Sequence, residues 1–304
     1  MNQKHIIQDI EKIITVGIAK INEPLKTYTH TKTGGKADIF VQPGSYEEVQ
    51  GVVQYARKNE IPVTILGNGS NVIVRDGGIR GIVLHLVRLD TITVTDQKIV
   101  ARCGAAIIDV SRVALRNSLT GLEFACGIPG TVGGALYMNA GAYGGEVAHV
   151  LQSALVLTSE GELLRMGPDD FQFGYRRSAF ADQKATVLEA TFQLILGDQA
   201  LIQEKMNDLT FQRESKQPLE YPSCGSVFKR PPNHFAGKLI QDSGLQKTRI
   251  GGAEISEKHA GFIINVDQAT ATDYLNLIKH VQQTVKAKYN VDLETEVKIL
   301  GEDE

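Results

Sequence analysis

The stretch from Phe124 to Gly145, F-A-C-G-I-P-G-T-V-G-G-A-L-Y-M-N-A-G-A-Y-G-G, constrains this chain more than any other, with glycine at 127, 130, 133, 134, 141, 144 and 145. A glycine held inside a regular element costs about 0.5–1 kcal/mol relative to alanine. A cluster this dense is therefore kept for turns, for close packing, or for bringing backbone N–H groups up to a ligand. A second glycine loop lies upstream. The strand Val63-Thr64-Ile65-Leu66 runs into Gly67-Asn68-Gly69-Ser70-Asn71, and Val72-Ile73-Val74 resumes extended structure at once. This order excludes the dinucleotide fold, whose glycine loop must open a helix that holds the pyrophosphate. A loop between two strands can still offer several N–H groups to phosphate oxygens as an anion nest, with Ser70 and the two asparagines as side-chain donors. A plain hairpin turn is the competing reading for that loop, and for Asp76-Gly77-Gly78 it is the expected one.

Two or three domains are expected in 304 residues, and 42% apolar content suffices for a core. A net charge of -3 and a pI near 6.2 leave no basic stripe, so nucleic-acid partners are set aside. Cys103, Cys126 and Cys224 are widely spaced, with no C-x-x-C pair and no histidine at ligand spacing, so neither a disulfide framework nor a metal site is expected. Asp9, Glu11 and Lys12 interrupt the isoleucines of the N-terminal stretch, and no later run reaches about 18 apolar residues. The expectation is a cytoplasmic protein with no membrane contact.

Along the chain, Ile6, Ile10, Ile13, Ile14, Gly17 and Ile21 share one face at helical spacing and predict a docking helix. Ser45 and Glu48 form a capping-box pattern for a helix burying Val49, Val52, Val53 and Ala56, with Asn59 and Pro62 at its end. A strand at Ile99–Ala101 and a helix over Ile107–Leu119 lead into the glycine cluster. Leu151–Met166 reads as a hairpin turned at Ser159-Glu160-Gly161, and Thr186–Leu194 as an alternating strand. Asp198 caps the next helix, which places a domain boundary near 197. The third part contains Tyr221-Pro222-Ser223-Cys224-Gly225-Ser226, helices at Phe235–Ser243 and Asp273–Tyr289, a strand at Gly261–Val266 and a last strand over Val291–Leu300.

Candidate chemistry sits at two places. Tyr175-Arg176-Arg177 lies among aromatics, and at most one of the two arginines can face a given site. Surface cations stacked on rings are the plainer reading. Gly225-Ser226, flanked by prolines, Lys229 and Arg230, could hold a hydroxyl beside positive charge, with an ordinary turn serine as the plainer reading. By periodicity Asp292, Glu294 and Glu296 form a solvated face, and nothing internal to the sequence selects one.

The motifs T-x-T-G-G-x-A-D, L-G-x-G-S-N, G-I-P-G-x-V-G-G-A-x-x-x-N-A-G-A-Y-G, Y-R-x-S-x-F, P-S-x-G-S-x-F-K and L-E-x-E-V, in that order over roughly residues 25 to 300, resemble the UDP-N-acetylenolpyruvoylglucosamine reductase family. The short path from the Y-R-x-S motif to the G-S motif resembles the subclass lacking an extra substrate-covering insertion. The resemblance implies an α+β chain with an FAD-binding fold of the vanillyl-alcohol-oxidase type. Its two α+β subdomains would be residues 1–97 and 98–197, and a C-terminal α+β substrate-binding domain would span 198–304. It implies FAD on Gly67, Asn68, Gly69, Ser70 and Asn71 and on Gly127, Ile128, Pro129, Gly130, Thr131, Gly133 and Gly134. It also implies Arg176 rather than Arg177 as catalytic arginine, Ser226 as proton donor and Glu296 as catalytic carboxylate, with Tyr175, Lys229 and Arg230 near the substrate.

The partners implied are NADPH as hydride donor and UDP-N-acetylglucosamine-enolpyruvate, with no metal, and a monomer is the favoured state. Arg230 departs from an asparagine and Cys224 from an alanine common in the family, the first bearing on the uridine diphosphate and the second on packing. His259 is a further candidate for lining the site. Two other readings stay open on the residues: a flavin-dependent oxidase of the same fold, which needs no Ser226 acid, and a non-catalytic nucleotide-sugar binding protein without flavin.

Overall fold

The computed structural model describes residues 3–303. Helix α1 (Gln3–Ile13) buries Ile6 and Ile10, but the apolar spacing that continues to Ile21 does not prolong it. The Glu48 carboxylate explains the stop. It accepts the backbone N–H groups of Thr15 at 2.6 Å, Val16 at 2.6 Å and Gly17 at 3.3 Å, donors that a continuing helix would have turned on its own carbonyls. The chain leaves instead as β1 (Ile18–Pro24), with Ile21 38% exposed.

After β2 (Lys36–Gln42) comes α2 (Tyr46–Lys58), whose N-terminus corrects the capping-box expectation by half. Ser45 Oγ accepts from Glu48 N at 3.2 Å as expected, but Glu48 reaches Gly44 N at 2.7 Å and the 15–17 segment. Burial pushes the Glu48 carboxyl up, and the Gly44, Val16 and Thr15 donors together more than offset it, so its pKa lies below the ordinary value.

β3 (Val63–Leu66), β4 (Val72–Val74) and β5 (Ile79–His85) follow, and β1, β2, β5 and β3 form one sheet in that order. β3 runs parallel to β5, with Leu66 opposite His85. Asp76-Gly77-Gly78 is a turn, closed by Gly78 N to Arg75 O at 3.0 Å with φ +86° at Gly78. It is not the hairpin expected. β4 pairs in parallel with Lys298–Leu300, since turn residues specify a local bend and not a strand's partner.

The chain continues through β6 (Ile92–Thr95), β7 (Lys98–Arg102) and α3 (Ile107–Arg116) to β8 (Leu119–Thr120). The helix expected to reach Leu119 ends earlier, with Ser118 at φ +54°, because Leu119 is taken into a strand pair opposite Leu196. Then come α4 (Val132–Tyr137), β9 (Gly141–Ala142), β10 (Gly145–Glu146), β11 (Leu151–Leu157), β12 (Leu163–Met166), α5 (Ala179–Asp182), β13 (Thr186–Gln193) and β14 (Ile195–Leu196). β13 is the middle strand of an antiparallel sheet ordered β12-β11-β13-β7-β6. It is therefore buried on both faces instead of alternating.

α6 (Gln199–Lys216), started by Asp198 Oδ1 accepting from Ala200 N at 2.8 Å, leads to β15 (Ser223–Ser226), α7 (Ala236–Asp242), β16 (Arg249–Ile250), β17 (Ala253–Ile255), β18 (Phe262–Asn265), α8 (Ala271–Tyr289) and β19 (Lys298–Leu300). The long final strand expected over 291–300 shrinks to β19. Leu293 and Val297 are buried as expected, but Ile299 is 36% exposed. Residues 294–297 run beside 227–229 instead, through Lys229 N to Glu294 O at 2.9 Å and Glu296 N to Val227 O at 2.8 Å.

The fold resolves into two compact units, each with its own apolar core. One comprises the chain up to Ile21, Ile39–Asn68 and Gly81–Arg213. The other comprises Asn22–Asp38, Gly69–Arg80 and the chain from Glu214 onward. Among the described residues no helix is long and apolar enough to cross a membrane, and no His, Cys, Asp and Glu cluster suits a metal ion.

Candidate active site

Within the first unit the two glycine loops are in contact. Asn68 Nδ2 donates to Pro129 O at 2.7 Å, and a Cβ added to Gly67 would stand 2.5 Å from Thr131 Oγ1. Thr131 Oγ1 in turn accepts from Gly134 N at 3.3 Å, capping α4. Behind this loop, Ile107 N reaches Gly130 O at 3.0 Å, Val132 N reaches Ala105 O at 2.8 Å and Gly133 N reaches Cys103 O at 2.8 Å. The two loops thus form one backbone-lined surface, pinned from behind by the 103–107 segment.

The glycines in it divide into two kinds. A Cβ on Gly133 would meet Cys103 Cβ at 3.2 Å, on Gly145 the Phe124 ring at 2.7 Å, and on Gly127 the Arg213 side chain at 2.5 Å, so these three serve close packing. At Gly134 it would meet only the Thr131 hydroxyl at 3.5 Å, and at Gly144 nothing within 4 Å. The chemistry of the surface suits a diphosphate: it is lined by small residues, an asparagine amide and a threonine hydroxyl, none of which carries like charge. Arg213, half-buried, has its guanidinium pKa lowered by burial, which outweighs the opposing pull of Tyr143 and Cys126; it had no signal in the sequence. It sits on α6 at a position that periodicity assigns to no site.

The second unit holds the rest of the first loop. Gly69 has φ +63°, and a Cβ there would lie 2.1 Å from Tyr28 O, so only glycine fits. Asn71 Nδ2 donates to Glu296 O at 3.3 Å, and Lys298 N to Asn71 O at 3.0 Å.

Ser226 is not in a turn. It lies on β15, where Ser223 pairs with Ile264 and Ser226 with Phe262, so three steps on one strand match two on the other. Cys224 and Gly225, the latter at φ +76°, together oppose the single residue Ile263 in this bulge. Bulges of this kind bend a strand and redirect its side chains. The next residue, Val227, bonds through its N–H to Gly261 O at 2.9 Å and through its carbonyl to Glu296 N at 2.8 Å. Ser226, Glu296 and Asn71 are therefore linked through a few backbone bonds, and Glu296 is half-buried where periodicity predicted a solvated face. Glu294 keeps the exposed role, 3.0 Å from Lys229 Nζ.

Arg230 lies over the Phe235 ring at 4.0 Å. Burial pushes the Cys224 thiol up to about 12, as suits a packing residue. His259 Nδ1 accepts from Gly261 N at 3.1 Å and its ring meets Phe262 edge-on at 4.9 Å, so it builds the turn before β18.

The Tyr175-Arg176 pair tips a reverse turn closed by Gly174 N to Arg177 O at 3.0 Å and Arg177 N to Gly174 O at 3.1 Å. Arg176 adopts φ +55° at the third position of the turn, where type II turns take glycine. The two arginines separate there. Arg177 is exposed and paired with Asp182 at 2.9 Å, whereas Arg176 is half-buried, with Nη2 3.4 Å from Gly141 O and its guanidinium 5.3 Å from the Tyr175 ring. Arg176 thereby reaches the glycine cluster and Arg177 turns away.

Residues 37–167 match the family model described as FAD binding domain. With the apposed glycine loops, this makes the chain an FAD-binding oxidoreductase. Residues 217–300 match the model described as UDP-N-acetylenolpyruvoylglucosamine reductase, C-terminal domain. The chain is 61% identical over 303 residues to UDP-N-acetylenolpyruvoylglucosamine reductase 2 of Bacillus cereus, covering 100% of this chain and 99% of the relative. It is 63% identical over 284 residues to the UDP-N-acetylenolpyruvoylglucosamine reductase of Listeria welshimeri, covering 93% and 96%. The crystal structure of the reductase from Thermus caldophilus superposes with a TM-score of 0.80 at 32% identity, covering 94% of this chain and 99% of that one. The chain belongs to the UDP-N-acetylenolpyruvoylglucosamine reductase family.

Proposed function

We infer that this chain reduces the enolpyruvyl ether of UDP-N-acetylglucosamine-enolpyruvate to UDP-N-acetylmuramate in peptidoglycan precursor synthesis, with NADPH as hydride donor. FAD, held by the two glycine loops, would supply the hydride relay from NADPH to the methylene carbon of the enolpyruvyl group. Negative charge then grows on the alpha carbon and spreads into its carboxylate. A donor or cation preorganised where charge develops is typically worth about 2.7–4 kcal/mol. Arg176 is assigned that role because a guanidinium stays charged and grips a carboxylate through two N–H groups. Its left-handed backbone is strain of the sort kept at functional turns.

Ser226 gives its Oγ proton to the alpha carbon, which completes the reduction. The Gly225 bulge, which holds this serine beside the Glu296 backbone, is the observation that carries the assignment. Glu296 is the catalytic carboxylate of the same cluster. Lys229 and Arg230 are assigned to substrate phosphate, which would compete with Glu294 for the Lys229 ammonium, and Tyr175 to the substrate side of Arg176. The Gly67–Asn71 and Gly127–Gly134 loops are assigned to FAD. Residues 1–97 and 98–197 are assigned as the FAD-binding subdomains and 198–304 as the substrate domain, a functional division that cuts across the two packing units, in a monomeric cytoplasmic enzyme.

The test is an anaerobic visible-absorption titration with NADPH and then the enolpyruvyl nucleotide sugar. Bleaching followed by recovery of the oxidised flavin band is expected. Bleaching without recovery, or rapid recovery only on admitting oxygen, points to an oxidase and sinks the substrate assignment. Ser226→Ala should slow recovery by about 10²–10⁴-fold, the usual contribution of a general acid, while bleaching by NADPH stays nearly unchanged. Equal damage to both half-reactions would refute the role of Ser226.

A further inference from the structure

β5 ends at His85, a side chain outside every role assigned above, whose residue is only 5% exposed. A buried imidazole is costly unless both ring nitrogens find partners. Here both do. Nδ1 lies 2.8 Å from Gln42 Nε2 at the end of β2, and an amide nitrogen only donates. The ring is also hydrogen-bonded to the backbone of Gly67, in the sense that favours its protonated form, which makes the Gly67 carbonyl the acceptor. Since Nδ1 accepts, Nε2 carries the proton and donates it to that carbonyl. Burial outweighs this bond and draws the ring pKa down to about 4, so the imidazole stays neutral around pH 7. Phe40 packs beside it, with ring centroids 5.4 Å apart.

The placement is specific to the loop. The parallel β3–β5 ladder ends at the pair Leu66 and His85, and Gly67 is the first residue beyond it. Without the imidazole, the carbonyl that begins the loop would lose the partner that orients it. The next residue, Asn68, holds Pro129 O, and Gly67 itself abuts Thr131. A tilt of the Gly67 peptide would therefore shift the first glycine loop against the second.

We propose that His85 is a positioning residue for the flavin diphosphate, fixing the Gly67 peptide from behind through a Gln42–His85–Gly67 relay and so setting the register of the two glycine loops. This rests on the reading that those loops hold FAD. Glutamine at 85 can place an amide N–H near the site of the imidazole Nε2, whereas asparagine reaches only as far as Nδ1. The experiment is FAD titration of the apo-proteins by quenching of flavin fluorescence, with visible circular dichroism of the bound flavin, for wild type, His85→Phe, His85→Asn and His85→Gln.

Loss of one buried hydrogen bond should raise the FAD Kd about tenfold or more in the Phe and Asn variants and change the flavin dichroism. The Gln variant should stay within about threefold of wild type. Equal affinity in all four proteins overturns the proposal. So does a Gln variant as weak as Asn, which would make ring packing the cause, or an Asn variant as tight as Gln, which would dismiss the Nε2 bond. If His85→Phe does not fold, the Asn and Gln pair decides alone. Failure of the wild type to bind FAD would instead remove the FAD reading itself.

Discussion

Gly67→Ala tests the apposition of the two loops with one methyl group. The added carbon would lie 2.5 Å from Thr131 Oγ1 but 3.5 and 3.6 Å from Thr131 Cγ2 and Cβ, so only the hydroxyl collides. Relief requires that hydroxyl to rotate away from Gly134 N, which it caps at 3.3 Å. Losing a threonine cap costs about 1 kcal/mol, and an off-rotamer side chain adds about 0.5–1.5 kcal/mol. Gly67 has no left-handed φ, so alanine returns about 0.4–1 kcal/mol through the unfolded chain. The single variant should thus be destabilised by about 1 kcal/mol.

Thr131→Ala alone should cost about 1 kcal/mol through the cap. In the double variant the collision disappears, the cap is lost once and the alanine gain remains, so its cost should be only about 0–0.6 kcal/mol. The singles sum to about 2 kcal/mol, which leaves a coupling of about 1.4 kcal/mol or more. Guanidinium unfolding of the four apo-proteins measures it, with FAD titration as a second readout. Additivity within about 0.5 kcal/mol would refute the contact between the loops.

Gly225→Ala isolates backbone strain, since no atom lies within 4 Å of the new Cβ while φ is +76°. It should cost about 1–2 kcal/mol of stability and slow the substrate half-reaction through Ser226, with FAD affinity unchanged; loss of FAD affinity would show that the bulge is not local to the serine. Glu48 has a depressed folded pKa, so its contribution is present above the ordinary glutamate value of 4.5 and is lost as pH falls through the folded value. Glu48→Gln should lower stability at pH 7 by about 1.5–3 kcal/mol and flatten the acid limb of the melting temperature between pH 6 and 3; parallel pH curves for the two proteins would contradict this.

What the sequence disclosed was local. Ser45 and Asn59 bound α2 and Asp198 starts α6 through signals that act within a few residues, and those boundaries held. Periodicity misjudged the first helix because Glu48, distant in sequence, claims the N–H groups of Thr15 to Gly17. It misjudged the final strand because residues 294–297 bond to Val227 and Lys229, not to a sheet partner. Family membership was legible in ordered motifs, whereas the support around them was not. Gln42 and His85 look like unremarkable strand ends, and only the register of β3 on β5 brings the imidazole to Gly67. The Gly225 bulge escaped for the same reason, since a Gly-Ser pair beside proline signals a turn until a partner strand is seen.

The pairing of β4 with β19 also has a cost in time. Asn71 and Glu296, joined by a hydrogen bond in the finished molecule, are 225 residues apart in the chain. At roughly 5–20 residues per second of synthesis, about 10–45 s separate the emergence of one from the other. Over that interval Val72–Val74 is a nascent strand whose ladder partner has not been made. The segments of the first unit are all translated by Arg213, while those of the second wait for its last strand. A ribosome halted shortly before residue 298 would therefore release a polypeptide that has every glycine of both loops but no strand to anchor the proposed catalytic carboxylate.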